Sequence, residues 1–204
     1  MNDINVMMVG VGGHGVILAS DGMAEVGVEN GYDVKKTDTL GMAQRGGSVL
    51  SHVRWGQHVF SPMIKKGEVD FLVGFEQLET ARWAPYLKPG GVAIVADVTV
   101  IPVSIAGGKV PYPSADEVKR ILLQYTDRVY MTASARIAQE TGNPRAMNMA
   151  MLGFLSQFLP LPPEAWTDIM RQRLPPKFVE SSVDAFTRGA AEAKAIIESK
   201  ESGT

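Results

Sequence analysis

A chain of 204 residues, 45% apolar with a formal net charge of −2, can bury one substantial core and has no global basic field for a polyanion. Nucleic-acid binding is disfavoured, because no basic stripe or RNA-binding motif is present. Cysteine is absent, so disulfides are excluded and the chain offers no thiolate to an iron–sulfur cluster.

Ile4 to Val9 is an apolar, β-branched run broken by Met7 and Met8, suited to a strand covered on both faces. Gly10, Gly12, Gly13 and Gly15 follow, then a helical apolar pattern through Val16, Ile17, Ala19, Met23 and Ala24. A strand entering a helix through glycines leaves the first helical N–H groups bare, which suits an anion, and no Cβ blocks its approach. Gly31-Tyr32 closes the helix and Asp33 to Thr37 begins a second strand, so the opening is a βαβ unit with GxGxxG spacing at Gly10, Gly12 and Gly15. An ordinary dinucleotide domain ends its second strand on a ribose-binding acid about 20 residues past the glycines. Here Asp38 stands 28 positions after Gly10, and a polar excursion, TLGMAQRGG, replaces the next helix. The chain returns as SVLSHVRW, whose alternation predicts a half-covered strand, and a hairpin through Gly56-Gln57-His58 into Val59-Phe60.

Val69 to Phe75 predicts the next strand, Glu76 to about Leu87 a helix, Lys88-Pro89-Gly90-Gly91 a stop, and Val92 to Ala96 another strand, the two strands parallel. Val98 to Pro113 reads as a short hairpin or irregular arm. Ser114 is the N-cap of a helix to about Tyr125, with acids in its first turn. Arg128 to Thr132 is a strand and Ser134 to Thr141 a short helix ending at Gly142. Asn143-Pro144 restarts the chain into an apolar helix to Phe158 that should be covered on more than one side. Helices over Glu164–Gln172 and Phe178–Lys200 follow. The expectation is an α/β fold on 1–204: one domain with a Rossmann-like βαβ opening, a mixed sheet with a hairpin insertion, and a helical C-terminal portion over 143–200. The segment Ala146 to Leu161 is too short and too polar to span a bilayer comfortably. MNDINVMMVG has no basic n-region or cleavable apolar segment, so a cytoplasmic protein is expected.

GVGGHG, GMAQRGGSVLSHVRWG and GNPRAMNMAMLG together resemble the γ subunits or domains of the 2-oxoacid:ferredoxin oxidoreductases, over Ile4 to Ile197. Met42-Ala43-Gln44 before Arg45-Gly46-Gly47 resembles the indolepyruvate branch rather than the pyruvate or 2-oxoglutarate branches, which usually carry an acid there. His14 stands where the family usually has Gln, and Ser182 where an Asn usually precedes the Ala-Phe of Ala185-Phe186. The resemblance implies a fold like domain III of pyruvate:ferredoxin oxidoreductase. It also implies a larger α subunit carrying thiamine diphosphate, Mg and [4Fe–4S] clusters, with coenzyme A (CoA) as co-substrate and ferredoxin as acceptor. No cofactor is then held by this chain's own ligands, and no nucleic acid or membrane is engaged.

The candidate binding residues are Gly10, Gly12, Gly13, His14 and Gly15 of the first turn and Gln44, Arg45, Gly46 and Gly47 of the excursion. The turn either meets a phosphate or only lets strand and helix pack closely. Arg45, freed by its glycines, can reach a 2-oxoacid carboxylate, a CoA phosphate or a neighbouring subunit bidentately, or it can shape its own loop through a salt bridge. His14 lacks an orienting acid for a catalytic base, and His52 with His58 lacks the companion a metal site needs, so His52 is expected on the wetter strand face. Lys35-Lys36 reads as a solvated strand end. Asn143 is a helix cap. Asn148, in an apolar helix, needs partners that an interface would supply, and the methionines around it are packing residues. No nucleophile, zinc motif or Walker sequence stands out, which agrees with a subunit that positions rather than reacts. The competing readings are a γ subunit for another 2-oxoacid (pyruvate or 2-oxoglutarate), a self-contained NAD(P)-dependent oxidoreductase, and a binding subunit whose glycine turn only packs.

Overall fold

The computed structural model describes residues 3–40, 47–101 and 111–202. The apolar run at the N-terminus is β1 (Ile4–Val11), which sends Val6 and Met8 into one core and Met7 and Val9 into another. A strand buried on both faces needs no polar alternation. The chain continues through α1 (Val16–Glu29), β2 (Asp33–Leu40), β3 (Ser48–Gly56), β4 (Val69–Gly74), α2 (Gln77–Trp83) and β5 (Leu87–Ala96). Then come α3 (Ala115–Leu122), β6 (Arg128–Thr132), α4 (Ser134–Glu140), α5 (Met147–Ser156), α6 (Pro163–Arg173) and α7 (Pro176–Ser202). The described strands make a mixed sheet in the order β2-β3-β1-β4-β5-β6, with β3 antiparallel to its neighbours and β1, β4, β5 and β6 parallel. The expected α/β class holds. Helices α1, α5, α6 and α7 share a core with one face of the sheet, and α2 and α3 cover the other.

α5 is the centre of the helical layer, with all ten residues buried between the sheet, α1 and α7. Its contact with α7 is close because Gly153 and Gly189 face the partner backbone: a Cβ on Gly153 would fall 2.8 Å from the Phe186 carbonyl carbon. Rings carry the packing outward from Trp55 to Trp166 to Phe186, at centroid separations of 6.1 and 6.0 Å. Glu192 of α7 then ties the layer to the sheet, accepting hydrogen bonds from Thr132 Oγ1 at 2.5 Å and Ala133 N at 2.9 Å.

Several expectations are corrected. No strand forms at Val59-Phe60; β3 ends at Gly56 and a loop follows, so the hairpin is absent. Lys88-Pro89-Gly90-Gly91 does not stop the chain but lies inside β5, while α2 ends early at Trp83 and a 3-10 turn, Ala84–Tyr86, leads directly into that strand. The helix after Ser114 ends at Leu122; Ser114 is its N-cap as expected, and Glu117 completes a reciprocal capping pair with it. Residues Pro144–Ala146 are a 3-10 turn before α5, which ends at Ser156. Lys36 is not a solvated strand end; it is held between Asp38 at 2.5 Å and Asp21 at 2.9 Å. Most of the expected arm, residues 102–110, lies outside the described residues.

β3 is covered on both faces, and His52 is 1% exposed rather than on a wet face. Its Nδ1 accepts a hydrogen bond from Ile64 N at 3.3 Å, so the folded ring is neutral and carries its proton on Nε2. Burial first, and the nearby Arg54 second, hold its pKa below the ordinary histidine value. The unfolded chain therefore binds this proton more readily. The resulting stabilisation is complete above about pH 6.5 and is lost as the pH falls below it, at up to ~1.4 kcal/mol per pH unit. Urea unfolding between pH 8 and pH 5 should show this slope, and His52→Asn should flatten it while lowering stability at pH 8. An unchanged slope in the variant would assign the acid sensitivity to other groups.

Candidate functional site

The site follows from the topology. After β1 the chain crosses to the α1 face, and after β4 it crosses to the α2 face, so the C-terminal ends of these neighbouring strands flank a switch-point crevice. The strands approach closely there: a Cβ on Gly10 would lie 2.8 Å from Phe75 Cβ, and Phe75 N donates to Val9 O at 2.8 Å.

The glycine turn is folded by three contacts. His14 N donates to Val11 O at 3.2 Å, Gly12 N donates to Gly47 O at 2.9 Å, and His14 Nδ1 lies 3.3 Å from Phe75 O, where it acts as the donor. His14 is thus a brace from the first turn to the end of β4, with Nε2 as its remaining polar atom. Gly13 and Gly15 have φ of 106° and 77°, a left-handed region costly for other residues, and a Cβ at Gly13 would meet nothing within 4 Å. Among the described residues nothing covers the rim of the turn, which lies beside a cleft of about 480 Å³ walled by Val11, Val16, Ile17 and Val49. Asp21 also reaches this cleft, with its carboxylate bound to Lys36.

The two helices that start at the crevice differ. At α2, Glu76 is 1% exposed and caps its own helix, accepting from Glu79 N at 2.8 Å. At α1 there is no side-chain cap and no acid in the first turn, and no described residue accepts from the N–H groups of Val16, Ile17 or Leu18. One positive helix end is already occupied by a carboxylate and the other is not. Asn148, 2% exposed at the start of α5, packs under α1: a Cβ on Gly15 would lie 2.8 Å from its Nδ2, which also donates to Gly15 O at 3.5 Å. Its Oδ1 accepts from Met149 N at 3.0 Å. The amide expected at an interface finds its partners within the chain.

Around the crevice α2 holds the flanks of the two segments outside the described residues. Ser48 Oγ donates to Glu79 Oε2 at 2.6 Å, just after the Arg-Gly-Gly run. Glu76 Oε1 accepts from Val100 N at 3.2 Å and from the Tyr112 hydroxyl, on either side of the arm. Burial and then the Glu76 carboxylate push the Tyr112 hydroxyl's pKa up, so it stays a donor. Of the residues picked out from the sequence, Gly10, Gly12, Gly13, His14, Gly15 and Gly47 converge here, while Gln44, Arg45 and Gly46 lie outside the described residues. Glu76, Glu79 and Ser48 were missed; a glutamate at a strand-to-helix junction was the available signal. Asp38, the residue at the position nearest a ribose-binding acid, is tied to Ser51 Oγ at 2.7 Å and to Lys36.

Among the described residues no group of three or more His, Asp or Glu could hold a metal ion, and no helix is long and apolar enough to cross a membrane. The family model for pyruvate ferredoxin/flavodoxin oxidoreductase matches residues 5–192. The chain is 33% identical over 200 residues to the indolepyruvate oxidoreductase subunit IorB of Thermococcus kodakarensis, covering 97% of this chain and 99% of that one. It is 32% identical over 187 residues to the same-named subunit of Methanothermobacter thermautotrophicus, covering 91% and 95%. Among solved structures, the keto/oxoacid ferredoxin oxidoreductase gamma subunit from Geobacter sulfurreducens aligns with a TM-score of 0.70 at 24% identity, over 94% of this chain and 99% of that one. The 2-oxoglutarate:ferredoxin oxidoreductase from Magnetococcus marinus, solved with 2-oxoglutarate, coenzyme A and succinyl-CoA bound, aligns at 0.72 and 19% identity. That alignment covers 96% of this chain and 32% of the longer one.

Proposed function

This chain belongs to the pyruvate ferredoxin/flavodoxin oxidoreductase family, and from that membership we propose that it is the small subunit of an indolepyruvate-type 2-oxoacid:ferredoxin oxidoreductase. The complex converts an aryl 2-oxoacid to its acyl-CoA and CO2, with the electron pair leaving on ferredoxin. This chain has no cysteine for a cluster, and its described residues include no carboxylate group fit for a magnesium diphosphate. We assign thiamine diphosphate and the clusters to a larger partner subunit, as expected of this family.

CoA is the ligand given to this chain. The observation that carries the assignment is the contrast between the two helix ends: α2 is closed by Glu76, whereas α1 has no side-chain cap among the described residues and follows Gly13 and Gly15, which line the cleft. A diphosphate fits such a turn, because it can approach the backbone and take donors from several N–H groups at once. Arg45, two positions before Gly47 in the sequence, is proposed to add a charge-assisted contact to the same diphosphate. Both act by positioning, holding the co-substrate where its thiol can reach the partner's thiamine adduct. A dinucleotide enzyme is disfavoured because Asp38 is engaged by Ser51 and Lys36 and is not free for a ribose.

Calorimetric titration of the purified chain should show CoA binding and no NAD binding. In the reconstituted complex, Arg45→Ala should raise the KM for CoA by about 10- to 100-fold with kcat nearly unchanged, the loss of a hydrogen bond to a charged group worth roughly 1.5–3 kcal/mol. Binding of NAD in place of CoA, or turnover of a 2-oxoacid by this chain alone, would overturn the reading.

A further inference from the structure

The end of the sheet opposite the glycine turn carries a feature that the proposed role does not use. Phe60 is 97% exposed and Met63, three residues on, is 55% exposed. An isolated exposed apolar residue needs no explanation, but the backbone that presents these two is held firmly. Asp33 accepts from Val59 N at 2.8 Å, and Arg54 donates to Ser61 O at 3.0 Å and to Met63 O at 3.3 Å. The Arg54 side chain is itself fixed by Asn5 Oδ1 at 2.9 Å. Ser61 Oγ accepts from Met63 N at 3.2 Å and His52 accepts from Ile64 N at 3.3 Å, with Pro62 restricting the backbone between them. The core thus supplies a frame for a loop whose tip contributes almost nothing to that core.

We infer that this loop is the anchor by which the chain docks onto the larger, cofactor-bearing subunit, with Phe60 and Met63 entering an apolar pocket rimmed by carboxylates. This rests on the reading of the chain as a subunit. An aromatic side chain on a preorganised backbone is the usual form of an interface hot spot, because little conformational freedom is left to lose on binding. The charge of the partner's rim follows from the loop itself. Residues 57–68 carry Lys65 and Lys66 against a single acid, Glu68, and among the described residues neither lysine forms a salt bridge. The size of the partner's contact follows from area: a Phe buries only about 150–250 Å², against ~800 Å² per partner for a stable interface. Phe60 is therefore the centre of a wider contact. The need for docking has a counterpart in the Magnetococcus enzyme, where this fold matches 32% of one longer chain and so has covalent neighbours that a free-standing chain must recruit. The anchor lies one strand length, about 25 Å for eight residues, from the glycine turn, so it governs assembly and not co-substrate affinity.

The test uses the two-subunit complex made by co-expression. Phe60→Ala should weaken association about 30-fold and Phe60→Asp by more, with the melting temperature of the isolated chain unchanged, because the side chain packs on nothing within it. Lys65→Glu with Lys66→Glu should slow association and reduce its salt dependence. A benzophenone amino acid at position 60 should crosslink to the larger subunit. Association unimpaired in both Phe60 variants overturns the proposal while leaving the subunit reading intact. A crosslink into a second copy of this chain overturns the choice of partner. If the wild-type chain forms no complex with the larger subunit, the proposal and the reading it rests on both fall.

Discussion

Replacing Gly153 by alanine is expected to lower the stability of the chain by about 3 kcal/mol, the upper end of what one added methyl costs in a packed core. The added Cβ would fall on the Phe186 carbonyl and lie 3.0 Å from Ala190 N, both backbone atoms of α7. No side chain can swing aside, so the helices must separate. Gly189 meets the same constraint from the other side, where a Cβ would lie 2.8 Å from the Ala150 carbonyl carbon. Separation costs more here than at a surface crossing, because α5 is buried along its whole length and any shift also disturbs the sheet and α1. The control is the same substitution at Gly22, inside α1, where the new methyl would reach only Leu152 Cδ1 at an ordinary 3.8 Å. There the gain in helix propensity dominates, and Gly22→Ala should be neutral or stabilising by ~0.5–1 kcal/mol. In urea unfolding the midpoint should fall for Gly153→Ala and hold or rise for Gly22→Ala; equal effects would mean that the α5–α7 crossing is not set by its glycines.

What the sequence revealed was what nearest neighbours decide. The apolar run at Val6 to Val9, the turn after it and the Ser114 N-cap each act within a few residues, and each took its expected form. The failures have a common cause in partners distant along the chain. The alternation of Ser48 to Trp55 read as a half-wet strand, yet His52 is buried because the loop that supplies Ile64 folds over it. Lys88-Pro89-Gly90-Gly91 has every local mark of a terminator. It nevertheless lies within a strand, as the irregular stretch between the Leu87 and Val92 pairings with β4, and a Cβ on Gly91 would sit 2.9 Å from Val69 O. Asn148 is separated by 133 residues from the Gly15 carbonyl it meets. A pattern of residues can flag a buried amide, but only the fold says what it touches. The place of the glycine turn was legible because its run lies directly between a strand and a helix, but the run alone does not separate a phosphate site from close packing. The glutamates of α2 were not legible, because a carboxylate that caps its own helix looks like any surface acid at a helix start.

Asn148→Asp is expected to abolish most of the CoA affinity of the chain, by about 100-fold or more at pH 8, while costing roughly 1–3 kcal/mol of stability. The substitution keeps shape and volume. It replaces an amide that donates toward Gly15 O with an oxygen that has nothing to donate when ionised, so two acceptors face each other in a site only 2% exposed. An ionised carboxylate there lies beside the open end of α1 and does for it what Glu76 does for α2: it occupies the positive terminus and repels an arriving phosphate. Burial also raises the pKa of an aspartate, so acidification returns a proton that can donate to Gly15 O and removes the repelling charge. The affinity lost at pH 8 should therefore recover in part near pH 5.5, against a wild type measured at both values. Asn148→Ala separates charge from packing: it removes the brace under Gly15 and should cost stability, yet it leaves the helix end uncharged and so retains most of the binding. If Asn148→Asp binds CoA at pH 8 as the wild type does, the anion does not sit at the start of α1, and the site must be sought elsewhere on the crevice.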